Sequence, residues 1–214
     1  MAESEFIIGA DEVGKGAWAG PALVCALVVP VGWTLEGLND SKKLSPKKRE
    51  KLYDEIQGCY PFVRPILYWV WPEEIDREGI GKALWFAFRA AVQDALGLAP
   101  GARVILDGDI KIPSIEHESY PKADGTYPAV MGASVYAKVE RDRWMMTEGD
   151  SEFPQYGWVD SKGYGTAAHQ EALDRYGPCR LHRMSFAPVF ERSGAVAYGS
   201  SLVRPRDRSS DGGT

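Results

Sequence analysis

The sequence predicts an α/β protein, a mixed sheet flanked by helices, and three observations carry that prediction. Short apolar runs rich in β-branched residues lie at 6–10, 22–29 and 103–107, each followed by turn-forming residues or proline. Longer stretches carry apolar residues at helical spacing. The two kinds interleave after an opening pair of strands, an order that lays helices against a sheet instead of packing them only on one another.

Taken in order, Phe6 to Ala10 reads as a short buried strand, and Ala22 to Val29 as a second that Pro30 ends. Ser45 is a suitable N-cap and Pro46 suits the first helical position, so a helix is expected from there to about Ile56, with Leu52 and Ile56 on one face. Pro61 to Val70 alternates loosely and reads as a third strand. A long helix from about Ile80 to Leu96 places Leu84, Phe88, Val92 and Ala95 on a core face, and Gly97 and Pro100 close it. Arg103 to Asp107 is a strand ending in an aspartate, and a further strand is expected around Pro113 to Tyr120. Pro128 opens a helix to about Met146, Tyr156 to Thr166 reads as a Gly-rich loop, and a short helix spans Ala167 to Tyr176. Leu181 to Pro188 reads as an irregular docking segment. One domain over 1–200 is expected, with a polar, disordered tail over 201–214.

A chain of 214 residues fits one domain with at most a modest appendage. Its net charge of −5 means that any nucleic-acid reading must rest on local basic patches, because binders of that kind are usually basic overall. Three cysteines, none in a CxxC pair, argue against a disulfide framework or a zinc site and fit a reducing compartment. No signal-type start and no apolar run of spanning length is present, so a cytoplasmic protein without membrane contact is expected.

The most informative stretch is Ile7-Ile8-Gly9-Ala10-Asp11-Glu12-Val13-Gly14-Lys15-Gly16-Ala17-Trp18-Ala19-Gly20-Pro21. One reading is a plain hairpin with a Gly-rich turn. The other is a metal site beside a backbone cradle for phosphate and sugar. Asp107 also follows a strand and Asp124 precedes a helix, and sites in open α/β sheets form beyond the carboxyl ends of strands. Massed carboxylates repel one another unless divalent cations such as Mg²⁺ or Mn²⁺ supply positive charge. Spacing alone favours ordinary turn aspartates, since Asp107-Gly108 and Asp124-Gly125 are both turn dipeptides. The Gly14-Lys15-Gly16 run permits close backbone approach but lacks P-loop spacing.

Other candidates are weaker taken singly. Lys42, Lys43, Lys47, Lys48, Arg49 and Lys51 form the dense basic run, suited to phosphates or simply to water. Ser134, Lys138 and Asp142 share a helix face, where Lys138 and Asp142 suit an i,i+4 ion pair. Tyr164, between Gly163 and Gly165, suits stacking on a sugar or base, or packing on the core. His169 and His182 have no nucleophile at a suggestive spacing, and no nucleophile motif argues for covalent catalysis.

Together these segments resemble the type 2 ribonucleases H (ribonuclease HII). The matching pieces are 9–16 with 19–21, Asn39-Asp40-Ser41-Lys42-Lys43-Leu44, Ile105-Leu106-Asp107-Gly108 and Lys122-Ala123-Asp124. Ala133 to Arg143, Lys162-Gly163-Tyr164-Gly165-Thr166 and His182-Arg183-Met184-Ser185-Phe186 follow in the family's order. The resemblance implies a ribonuclease H-like fold, with a central five-stranded mixed sheet, helices on both faces and a small C-terminal helical extension. It implies a monomeric endonuclease that cuts RNA in RNA–DNA hybrids and cuts 5′ of ribonucleotides embedded in duplex DNA, leaving 3′-hydroxyl and 5′-phosphate ends. By motif, Asp11, Glu12, Asp107 and Asp124 are the metal-binding catalytic carboxylates, holding two Mg²⁺ or Mn²⁺ ions with substrate bound. Gly14, Lys15 and Gly16 match the loop that reads the 2′-hydroxyl, and Tyr164 matches the tyrosine that stacks on the neighbouring deoxyribose. Lys43, Ser134 and Lys138 are carried as further substrate-binding residues, and Asp142 as a support on the helix face.

One departure stands out, since the family's commoner loop is Gly-Arg-Gly and lysine lacks the planar fork of arginine. The related type 3 enzymes carry an additional N-terminal domain, not expected here with strand one starting at residue 6. Two rival readings are a nuclease of the same fold acting on DNA alone and a nucleic-acid binder without catalysis.

Overall fold

The computed structural model describes residues 5–194. Its centre is a five-stranded sheet in the order β3-β2-β1-β4-β5. The strands are β1 (Phe6–Val13), β2 (Ala22–Pro30), β3 (Arg64–Val70), β4 (Arg103–Asp107) and β5 (Glu118–Tyr120). β1 pairs antiparallel with β2 and β2 with β3, whereas β4 runs parallel to β1 and β5 parallel to β4.

β2 shows why the sequence reads as a continuous apolar run. Its alternate residues Ala22, Val24, Ala26 and Val28 join the core on one face, while Leu23, Cys25, Leu27 and Val29 join the core on the other. A strand covered on both faces has no polar side to alternate with. On the first face lies α3 (Ile80–Leu98), contributing Leu84, Phe88, Val92 and Ala95 as expected. The second face is covered by α1 (Pro46–Gly58) and α4 (Pro128–Trp144), with Leu52 and Ile56 of α1 buried there. α4 comes so close to β1 that a Cβ on Gly9 would lie 2.2 Å from the Ala129 carbonyl carbon, so only glycine fits.

Several boundaries differ from the sequence expectations. β1 runs on to Val13 because β2 pairs with it as far as Leu23, whereas its parallel ladder with β4 stops at Ala10. The third strand starts at Arg64 and the fifth shrinks to three residues. An additional helix, α2 (Pro72–Glu78), went unpredicted because Trp71 is no standard N-cap, although the Glu74 carboxylate accepts from the Trp71 amide at 3.1 Å. α4 passes into a π-helical stretch (Met145–Gly149), and the expected 156–166 loop contains a one-turn helix.

The C-terminal extension is built from α5 (Asp150–Glu152), α6 (Trp158–Ser161), α7 (Ala167–Tyr176) and α8 (Ala187–Phe190). It has its own small core of Met145, Tyr156, Trp158, Leu173, Leu181 and Val189, closed by Ala19 from the loop after β1. The expected tail at 201–214 lies outside the described residues, and no helix among those described is long and apolar enough to cross a membrane.

Candidate active site

The staggered end of β1 sets the geometry. Ala10 is the last residue of β1 opposite β4, facing Leu106, so the next step in register brings Asp11 beside Asp107. Alternation puts both on the α4 face, while Glu12 turns to the α3 face. Glu12 still reaches back: one carboxylate oxygen from each of Asp11, Glu12 and Asp107 lies within 4.8 Å of the others. The Glu12 amide donates to Asp11 Oδ1 at 2.7 Å, tying the pair together.

Burial first, and then the charges of Glu12 and Asp107, raise the Asp11 carboxyl well above the usual range against a lowering hydrogen bond from Ser134. Glu12 is raised by burial and by Asp107, with Lys15 opposing. Three converging oxygen donors, two of them (Asp11 and Glu12) with ionisation disfavoured by burial and by the neighbouring charge, suit a hard divalent cation, Mg²⁺ or Mn²⁺.

Asp124 stands beside this trio without joining it. It sits in a 3₁₀ turn (Ala123–Gly125) ahead of α4, and its amide points at Asp107 Oδ1 across 3.4 Å. Its carboxylate lies 3.7 Å from the Lys42 ammonium, and its carboxyl is raised by burial, Asp107 and Asp40, against Lys42 and Lys43. Lys43, the lysine singled out in sequence, instead faces Asp40 at 3.8 Å. The 3₁₀ turn Ser41–Lys43 decides which of two adjacent lysines meets the acids, and no residue pattern announces that choice.

Ser134 is buried on α4, and its hydroxyl meets that of Ser41 at 2.9 Å, joining the 39–44 segment to the Asp11 side of the site. Lys138 pairs with Asp142 at 2.9 Å, so the ion pair expected from their spacing exists, and Asp142 is not in the acid trio. The Lys138 ammonium and the Arg141 guanidinium lie 5.2 and 5.3 Å from the centre of the Tyr164 ring, in cation–π range.

The Gly14–Pro21 loop is organised by two buried arginines whose importance sequence reasoning missed. Arg141 donates to the carbonyls of Pro21 at 2.7 Å, Lys162 at 3.1 Å and Ala19 at 3.3 Å. Arg183 donates through Nε and Nη2 to the Gly20 carbonyl and through Nη1 to the Lys15 carbonyl at 3.0 Å. Burial, then the charge of Arg141, lowers Arg183 to about 9. Gly14 has φ +82°, and a Cβ there would lie 2.1 Å from Arg141 Nε, so the loop's first glycine is required by the arginine beneath it. Gly16 faces open space, while Lys15 is mostly exposed with its ammonium 3.7 Å from Glu12. The signal for both arginines was their place in the 133–143 and 182–186 motifs, where nothing local separates a buried arginine from a solvated one.

Beside the trio, on its α3 side, a cavity of about 260 Å³ is lined by Glu12, Lys15, Trp85, Phe88, Asp107 and Lys111, among others. Two of the trio, Glu12 and Asp107, thus border a space larger than an ion, while Asp11 stays buried behind them.

Among solved structures, the chain resembles that of ribonuclease HII in the PCNA:RNase HII complex from Archaeoglobus fulgidus, with a TM-score of 0.69, 28% identity, and 85% of this chain and 95% of that one covered. Bst-RNase HIII in complex with Mn²⁺ superposes with a TM-score of 0.71 at 22% identity, over 88% of this chain and 69% of that one, a likeness of fold. The class that fold and site define is a nuclease of the ribonuclease H-like fold. The family model described as Ribonuclease HII matches residues 8–189. Ribonuclease HII of Verminephrobacter eiseniae is 41% identical over 191 residues, covering 87% of each chain. That of a Polaromonas species is 43% identical over 191 residues, covering 87% of this chain and 92% of its own. The chain belongs to the ribonuclease HII family, hydrolytic nucleases that act on the RNA of RNA–DNA hybrids.

Proposed function

We propose that this enzyme hydrolyses the phosphodiester on the 5′ side of a ribonucleotide, both within RNA–DNA hybrids and at single ribonucleotides embedded in duplex DNA. Two divalent ions, Mg²⁺ or Mn²⁺, would be held by Asp11, Glu12, Asp107 and Asp124. The observation that carries this reading is the convergence of three carboxylates within 4.8 Å, two of them on the strand that continues into Gly14-Lys15-Gly16 and the third at the end of β4. When bound, such ions supply a water of lowered pKa and charge stabilisation for the leaving 3′-oxygen.

The chain's own residues supply position and selectivity. Arg183, bonded to the Lys15 carbonyl, holds the Gly-Lys-Gly backbone beside Glu12, where it is suited to bonding a 2′-hydroxyl. Tyr164, over Lys138 and Arg141, presents its ring for stacking on the neighbouring sugar. Lys42, close to Asp124, and Lys15, close to Glu12, offset the acids while substrate phosphates approach. Because Arg183 grips this loop by its carbonyl, the lysine at 15 leaves the backbone reading intact, and cleavage at single ribonucleotides persists.

The test is to map products on a duplex with one ribonucleotide, on a hybrid and on an all-DNA duplex, with each metal in turn. Cutting 5′ of the ribonucleotide, lost by at least about a hundredfold in Asp107→Asn, is expected from the loss of a transition-state charge partner. An Asp107→Asn enzyme with full activity, or equal cutting of all-DNA duplex, overturns the proposal.

A further inference from the structure

His169 and His182, buried in the C-terminal extension, take no part in the reaction as described, yet all four of their ring nitrogens face a partner. The Cys179 amide lies 3.0 Å from His182 Nδ1. An amide only donates, so Nδ1 accepts and the ring's proton resides on Nε2. His169 Nδ1 lies 3.0 Å from the Tyr164 carbonyl oxygen, which only accepts, so here Nδ1 carries the proton. The contact between the rings, Nε2 to Nε2 at 3.1 Å, then has one donor, His182, and one acceptor, His169. Trp158 Nε1 donates to the same His169 nitrogen from 3.2 Å, which agrees with that assignment. The two outer partners fix both tautomers, and the chain of bonds runs in one direction from Cys179 to Tyr164.

We infer that His182 and His169 form a two-imidazole relay that sets the position of Tyr164 for substrate, making His169 a positioning residue of the ribonuclease reaction. The inference rests on the reading of Tyr164 as a residue that stacks on the substrate sugar.

The relay ends on a main-chain atom of the tyrosine itself, inside a turn where the Thr166 amide bonds the same carbonyl at 2.8 Å. One residue earlier, the Gly163 carbonyl accepts from the amides of Trp18 and Ala19 at 2.8 and 3.1 Å. The origin of the relay, Cys179, lies four residues before Arg183, which grips the Lys15 carbonyl at 3.0 Å. One segment, 179–183, therefore registers both the stacking tyrosine and the Gly-Lys-Gly loop. Burial alone requires a partner for each ring nitrogen; what it does not require is that the chain of bonds end on the backbone of the tyrosine. Burial and the neighbouring His169 hold His182 down at about 3, so the relay stays neutral at working pH.

The test uses a duplex with one embedded ribonucleotide and compares His169→Asn, His169→Gln, Tyr164→Ala and the double variant Tyr164→Ala/His169→Gln. The asparagine amide keeps an N–H near the place of Nδ1, whereas glutamine places its group near Nε2 and leaves the Tyr164 carbonyl without that donor. His169→Gln is expected to raise KM about tenfold, the worth of one buried hydrogen bond, with a smaller change in kcat. His169→Asn should recover most of this, and the double variant should be no worse than Tyr164→Ala alone. Equal impairment by Gln and Asn, multiplying effects in the double variant, or an unimpaired His169→Gln beside an impaired Tyr164→Ala overturns the relay alone. An unimpaired Tyr164→Ala overturns the stacking reading and the relay with it. Nitrogen-15 NMR of the unsubstituted enzyme should show Nδ1–H at His169 and Nε2–H at His182. Any other tautomers overturn the relay, whether or not the variants fold.

Discussion

Asp11 is 4% exposed, with Glu12 and Asp107 close enough to share an ion, and its carboxyl is raised well above the usual range by burial and by those charges. A folded-state pKa above the unfolded value means that the native state retains a proton the unfolded chain has released. Stability therefore falls as pH rises through that window, and the whole penalty is present above it. Without divalent ions at pH 7.5, Asp11→Asn is expected to melt above the unsubstituted protein, by about 2–4 °C for each kcal/mol relieved. The gap should narrow as pH is lowered, and Mg²⁺ or Mn²⁺ should raise the melting temperature of the unsubstituted protein more than that of the variant; calorimetry across pH checks both. Asp11, Glu12 and Asp107 could be raised as candidates from their strand-end positions, but spacing alone favoured a turn aspartate at 107, and the family resemblance was what grouped the three that the fold brings together. Lys42 was not separable from Lys43, because a single 3₁₀ turn chooses between them. Arg141 and Arg183 were unreadable as buried cations, because their partners are main-chain carbonyls that any sequence supplies.

β2 and α3 were read with the right type and nearly the right ends, because their apolar periods are long and unmixed. Phe88 of α3 is 1% exposed against the sheet, so Phe88→Ala should cost about 3–5 kcal/mol, seen in denaturant titration, and leave the cleavage position unchanged. α2 escaped because a seven-residue helix without a side-chain cap carries little signal. It nonetheless positions the C-terminal segment: Asp76 accepts from the amides of Met184 and Ser185 at 2.9 and 2.8 Å, beside Arg183. The extension itself carries a pH signature. The rings of Tyr156 and Trp158 and the Cys179 thiol pack around the two histidines, and burial lowers both, His182 to about 3. A lowered histidine pKa means the unfolded chain takes up the proton first, so stability is lost as pH falls below about 6.5. Each histidine still neutral at pH 5 costs about 2 kcal/mol between pH 7 and pH 5. His182→Gln should therefore be less stable at pH 7 and lose less on acidification, measured as the slope of melting temperature against pH.

At the scale of the whole molecule, the net charge of −5 hides a division of labour. Acids gather at the end of β1 and β4, while Lys47, Lys48 and Lys51 stand exposed on α1. Arg49 is spent internally, donating to the Ser41 and Leu44 carbonyls, and so holds the Lys42 turn against α1. If α1 lies along a substrate phosphate run, Lys47→Glu with Lys48→Glu should raise KM for hybrid and leave kcat nearly unchanged. The dependence of log KM on log salt should flatten by about one unit for each lost phosphate contact, which a salt series measures. The layered architecture was legible from the order of strands and helices. The depth of β1 was not, because its last three residues depend on β2 pairing past the point where β4 stops.

That uneven pairing makes β1 a measuring device. Two of the four acids proposed to cut, Asp11 and Glu12, and the loop proposed to recognise a ribonucleotide belong to one unbroken stretch from Asp11 to Gly16, and a stretch of five steps spans at most about 17 Å. No hinge or second element intervenes between this pair of acids, the part of the blade that β1 carries, and the gauge. On the proposed reading, the site of scission would therefore be an offset written in contour length. One residue inserted between Glu12 and Gly14 would displace the gauge from the blade and misplace the cut, although every group needed for the chemistry would still be present.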